Sequence, residues 1–131
     1  MNVARRGLTI ATVLALGLSS AAAADDNFFT HLHTDKAMAN VTISPARQGS
    51  VEIAIQLETV EEKPLAAKSV WVTLSQGRTR VVPRIVEAER RGEGKWSAKV
   101  TLPAAGRWTL GLDISISDTD KVSIEAPIVI K

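Results

Sequence analysis

Val51-Glu52-Ile53-Ala54-Ile55-Gln56-Leu57-Glu58 decides the fold. Successive side chains of an extended chain point to opposite faces, so Val51, Ile53, Ile55 and Leu57 share one face and Glu52, Gln56 and Glu58 the other. One face suits a core and the other suits water, which is the pattern of a strand in a half-buried sheet. The same period recurs on both sides. Downstream, Val70, Val72 and Leu74 alternate with Trp71 on the opposite face. Trp96, Ala98, Val100 and Leu102 form another run, and Trp108, Leu110, Leu112, Ile114 and Ile116 a longer one. Val122, Ile124, Ile128 and Ile130 give a last strand, in which Pro127 marks an edge or a bulge. Upstream, Val41 and Ile43 head a short first strand, while residues 81–89 read as a weaker one interrupted by Pro83.

Turn residues separate these runs: Glu61-Glu62-Lys63-Pro64, Ser75-Gln76-Gly77, Arg91-Gly92-Glu93-Gly94, Pro103-Ala104-Ala105-Gly106 and Asp118-Thr119-Asp120-Lys121. No stretch has the period of a useful amphipathic helix. Short strands at roughly ten-residue spacing predict an all-β fold, an immunoglobulin-like antiparallel β-sandwich of about seven strands. Trp96 and Trp108 share faces with aliphatic residues and are expected in the core. Trp71, on the other face of its strand, is expected either to cover a sheet edge or to meet a partner.

The N-terminus reads differently. Arg5 and Arg6 precede an apolar stretch, Gly7 to Leu18, and then Ser19, Ser20 and the alanines 21–24. This is the plan of a secretory signal peptide, with cleavage expected after Ala24. Twelve residues in helix cover only about 18 Å, short of the roughly 30 Å of a hydrocarbon core. The expected organisation is a signal peptide over 1–24, an N-terminal segment over 25–40 and a sandwich over 41–131, with export to the periplasm. Removing the first 24 of 131 residues leaves 107, enough for one core. Of 16 basic side chains, Arg5 and Arg6 leave with the signal, so 14 remain against 14 acidic ones. A neutral domain lacks the basic surface that nucleic-acid binding needs. The chain has no cysteine, which excludes disulfides, thiol catalysis and thiolate metal sites.

Residues 25–40, DDNFFTHLHTDKAMAN, hold both histidines and both phenylalanines of the chain. His31 and His33 are two apart, so an extended segment projects both imidazoles from one face, with Leu32 opposite. Two neutral imidazole nitrogens at that spacing can reach one metal ion. Asp35 is expected to continue the same face, and Met38 offers a thioether, a donor that favours Cu(I). Asp25 would add a free amine and a carboxylate at the new N-terminus. The competing expectation is a pair of solvated histidines with Met38 packed into the sandwich. No Gly-x-Ser-x-Gly elbow or paired acid and base appears, so no enzymatic activity is expected. Asp118 and Asp120 resemble half a calcium loop with too few ligands. Arg78, Arg80, Arg84, Arg90 and Arg91 form a basic stretch that either protects a strand edge or docks an acidic partner.

The string His31-Leu32-His33-Thr34-Asp35-Lys36-Ala37-Met38-Ala39, followed by Asn40-Val41-Thr42-Ile43-Ser44-Pro45, resembles the start of the YtkA-like periplasmic domain found at the C-terminus of CopD/YcnJ-type bacterial copper-transport proteins. Pro64-Leu65-Ala66-Ala67-Lys68, Gly94-Lys95-Trp96, Leu102-Pro103, Gly106-Arg107-Trp108 and Ile116-Ser117-Asp118 resemble its later blocks, in order. The resemblance covers the periplasmic domain and not the membrane helices of the fused forms, so transport itself is not expected to carry over. The resemblance implies periplasmic copper handling, either holding copper or assisting a membrane copper permease. His31, His33, Met38 and Asp35 follow as candidate copper ligands from their own chemistry. The alternative is a metal-free structural or adaptor domain, working through Trp71, the arginine stretch or a strand edge.

Overall fold

The computed structural model describes residues 26–77 and 79–131; the expected signal peptide, Asp25 and Arg78 lie outside the described residues. Among the described residues nine strands run in chain order: β1 Phe28–His33, β2 Met38–Ser44, β3 Gly49–Glu58, β4 Ser69–Ser75, β5 Arg84–Glu87, β6 Glu89–Gly92, β7 Lys95–Leu102, β8 Gly106–Ser115 and β9 Lys121–Ile130. Every pairing is antiparallel. One sheet has the order β1-β2-β3-β7-β6 and the other β5-β4-β8-β9. Without β1, these are the four-on-four sheets of an immunoglobulin-type sandwich, and β1 is an extra strand on the outside of the first. Among the described residues no helix is long and apolar enough to cross a membrane.

The two strands beyond the expected seven have physical causes. The weak run over 81–89 does not form one strand. Pro83 delays pairing until Arg84, and Ala88 is then buried with its N–H donated to Val70 C=O at 2.8 Å. At Ala88 the chain turns a corner, leaving β4's sheet as β5 and joining β7's sheet as β6. The other addition is β1. Its inward residues Phe28 and Leu32 pack on the core while Phe29, His31 and His33 face water.

The core lies between the sheets. Val41, Ile43, Ile53, Ile55, Leu57, Trp96 and Leu102 meet Val70, Val72, Leu74, Trp108, Leu110, Leu112 and Ile114, all buried. Both Trp96 and Trp108 are core residues, and Trp108 Nε1–H donates to Ala104 C=O at 3.0 Å. Pro127 sits on the edge strand β9, where a missing N–H costs least. One glycine is required by its place: Gly94 has φ +69°, and a Cβ there would lie 2.8 Å from Leu57 O and 3.2 Å from Pro64 Cβ. Its carbonyl accepts Leu57 N–H at 2.7 Å, which locks the β6–β7 turn against β3.

Candidate metal centre

The site is built on the β1–β2 hairpin. Thr34 N–H donates to Ala37 C=O at 2.8 Å and closes the turn. Thr34 Oγ1 accepts Lys36 N–H and Ala37 N–H, each at 3.2 Å. The turn is fastened across the sandwich by Lys36 Nζ on Asp120 Oδ1 at 3.0 Å. That hydrogen bond, then the Asp120 charge, hold the Lys36 ammonium above its ordinary range. The start of β1 is fastened too: Asp26 C=O accepts Ala46 N–H, its carboxylate pairs with Arg47, and Asn27 Oδ1 accepts Ser44 Oγ–H at 2.8 Å.

The register is fixed by the core. Ala39, Val41 and Ile43 of β2 must face in, so Met38, Asn40 and Thr42 face out, opposite His33, His31 and Phe29. Hydrogen-bonded and non-hydrogen-bonded pairs alternate along an antiparallel ladder. Since Thr34 and Ala37 are bonded, His33–Met38 and His31–Asn40 fall in the non-hydrogen-bonded class, where side chains stand closest. His31 shows the result: its Nδ1 lies 2.6 Å from Asn40 Oδ1. With Oδ1 as acceptor, the His31 proton sits on Nδ1 and the Nε2 lone pair is left for a metal. Asn40 Nδ2–H in turn donates to Glu58 Oε1 at 2.7 Å. A chain Glu58–Asn40–His31 therefore orients one imidazole. Sequence reasoning missed Asn40 and Glu58, since only the strand register reveals them.

His31 and His33 stand side by side on the exposed face, ring centroids 6.2 Å apart and planes 26° from parallel. Metal–nitrogen bonds of about 2.0 Å plus the ring radii separate two imidazole centroids across a shared ion by about 5–6.5 Å. The separation fits one ion with a wide nitrogen–metal–nitrogen angle, once the rings turn out of their stack. Met38 is the cross-strand partner of His33 on the same outer face, half-buried, and its thioether is a soft donor of the kind that suits Cu(I). Asp35 differs from expectation. β1 ends at His33, so Asp35 lies in the turn, and the period-two argument does not run through it. Among the described residues no three His, Asp or Glu side chains gather as a metal cluster. Asp118 and Asp120 are engaged by Lys68 and Lys36.

The other features have local roles. Arg90 lies over the Trp96 ring at 5.1 Å and reaches Ala67 C=O at 2.5 Å. Arg91 bonds Ser97 Oγ at 2.6 Å and pairs with Glu89. Arg84 is on β5, in the other sheet from Arg90 and Arg91 on β6. Trp71 is 42% exposed on the outer face of the second sheet, by a hollow of about 470 Å³ lined with Thr73, Ile85, Asp113, Lys121 and Ser123.

Two solved structures share this fold. One is a bromine derivative of BhCBM56, with TM-score 0.51 and 13% identity over 76% of this chain and 97% of that one. The other is the PmoD soluble domain from Methylocystis sp. ATCC 49242 (Rockwell), with TM-score 0.55 and 10% identity over 77% and 96%. At such identities the likeness is one of fold, and it agrees with the β-sandwich. No family model matches the chain, and no curated protein matches it.

Proposed function

We propose that this chain is a periplasmic copper-associated binding domain, with a binding rather than a catalytic role, that holds copper or assists a membrane copper permease. The observation that carries the reading is that His31, His33 and Met38 share the outer face of the β1–β2 hairpin, with His31 Nδ1 bonded to Asn40. Cu(I) is the ion this donor set prefers, because a thioether is soft and a carboxylate is not among the three. The resemblance of residues 31–45 to YtkA-like domains supports the same reading, as does the signal-like start of the chain. Copper bound here would be held by the two imidazoles and the thioether, while Glu58 and Asn40 keep His31 in its tautomer.

The test is a competition titration of the purified protein with Cu(I) under reducing conditions, with Cu(II), and with Zn(II) as control. One copper per chain is expected, with binding weakened well over tenfold in His31→Ala and His33→Ala. Wild-type binding by the double variant rules the assignment out. The alternative, a metal-free adaptor, rests on the exposed Trp71 and the neighbouring Ile85. It predicts that Trp71→Ala removes protein partners captured from periplasmic extract while histidine variants keep them.

A further inference from the structure

Among the described residues β1 has one open edge, and that edge is unusual among the four of the sandwich. β5 (Arg84-Ile85-Val86-Glu87), β6 (Glu89-Arg90-Arg91-Gly92) and β9 (with Lys121, Glu125 and Pro127) all carry charges or proline, the devices that block strand-to-strand association. β1, Phe28-Phe29-Thr30-His31-Leu32-His33, carries no Asp, Glu, Lys, Arg or Pro. β9 runs near β1, but it ladders with β8 alone. The outer face of β1 also exposes Phe29, 64% accessible and in line with the two histidines.

The ladder says which groups the edge offers. Thr34 is bonded to Ala37, so by alternation Leu32, Thr30 and Phe28 turn their backbone groups toward β2. His33, His31 and Phe29 turn theirs to the open edge. A two-fold axis perpendicular to the sheet keeps the outer faces continuous only if each residue pairs with one of the same parity. The register centred on His31 uses every open group: His31 bonds the partner's His31, and Phe29 and His33 bond the partner's His33 and Phe29. In that register His33 has Met38 on one side and the partner's Phe29 on the other.

We infer that a second copy of this chain pairs antiparallel with β1, and that Phe29 of each copy forms the apolar wall of the other's copper site. This rests on the copper reading of His31, His33 and Met38. It accounts for an aromatic side chain that stays largely exposed on the same outer face as the two histidines, at the rim of a hollow also lined by Thr42, Glu52 and Ala54. It also supplies what the donor set lacks in one chain, shelter from water for a soft ion on an exposed sheet face. Phe29→Pro tests it, because the N–H removed faces the open edge and no bond to β2 is lost. Phe29→Lys is a second, charge-based block that leaves backbone geometry alone. Molar mass by light scattering, copper per chain and the rate of Cu(I) loss to air are measured on wild type and both variants. The expected result is a two-chain species with one copper per chain, while both variants run as monomers and lose Cu(I) at least several-fold faster. A wild-type monomer holding one copper overturns the pairing and leaves the site reading standing. A pair that survives both substitutions overturns the role of the β1 edge. A wild type that binds no copper overturns the site reading, and this inference with it.

Discussion

Asn40→Ala should loosen copper without loosening the fold. Asn40 touches no ion in this account; it accepts the His31 Nδ1 proton at 2.6 Å and passes the orientation on from Glu58 at 2.7 Å. Removing it frees the imidazole to rotate and to change tautomer, so the nitrogen offered to the metal is no longer selected. Loss of such an orienting partner costs about 10–100-fold in metal affinity. The hairpin face is exposed, so water can replace part of the bond, and the lower end applies: about tenfold, or ~1.4 kcal/mol. The fold loses two hydrogen bonds on a partly exposed face, each worth about 1 kcal/mol or less. Asn40→Asp combined with Glu58→Gln keeps the acceptor for His31 and a donor opposite it, and should bind closer to wild type than Asn40→Ala. The assay is Cu(I) competition against a chelator, paired with urea unfolding. If Asn40→Ala binds copper as tightly as wild type, the orienting chain has no role. If it unfolds far more easily, the residue is structural and the reasoning fails differently.

Two further predictions concern the sandwich. Gly94→Ala forces a Cβ into φ +69° and to 2.8 Å from Leu57 O, which should cost about 1–3 kcal/mol and lower Tm measurably by calorimetry. Leu110→Ala opens a cavity at a fully buried position and should cost about 2–5 kcal/mol in denaturant unfolding, while leaving copper stoichiometry unchanged in the folded protein.

Much of the sandwich could be read from the period of two, because the code is local. Val51 to Leu57 and Trp108 to Ile114 state their buried faces without reference to any other strand. The common face of His31 and His33 was legible for the same reason. What pairs with what is not local. Ala88 looks like any alanine in a weak strand, and only the packing of two sheets makes it a corner. Arg90 reads as surface charge, yet it bonds Ala67 C=O and lies over Trp96 because β6 turns it that way. Asp35 falls outside the alternation, because β1 stops at His33 and the Thr34–Ala37 turn closes the hairpin there. Asn40 and Glu58 sit 18 residues apart, and nothing but register joins them to His31.

The most direct test of the central claim is X-ray absorption spectroscopy of the Cu(I)-loaded protein beside its Met38→Leu variant. Imidazole scattering is expected in both and a sulfur scatterer in wild type alone. A first shell without imidazole in wild type, or one without sulfur in wild type, would contradict that claim.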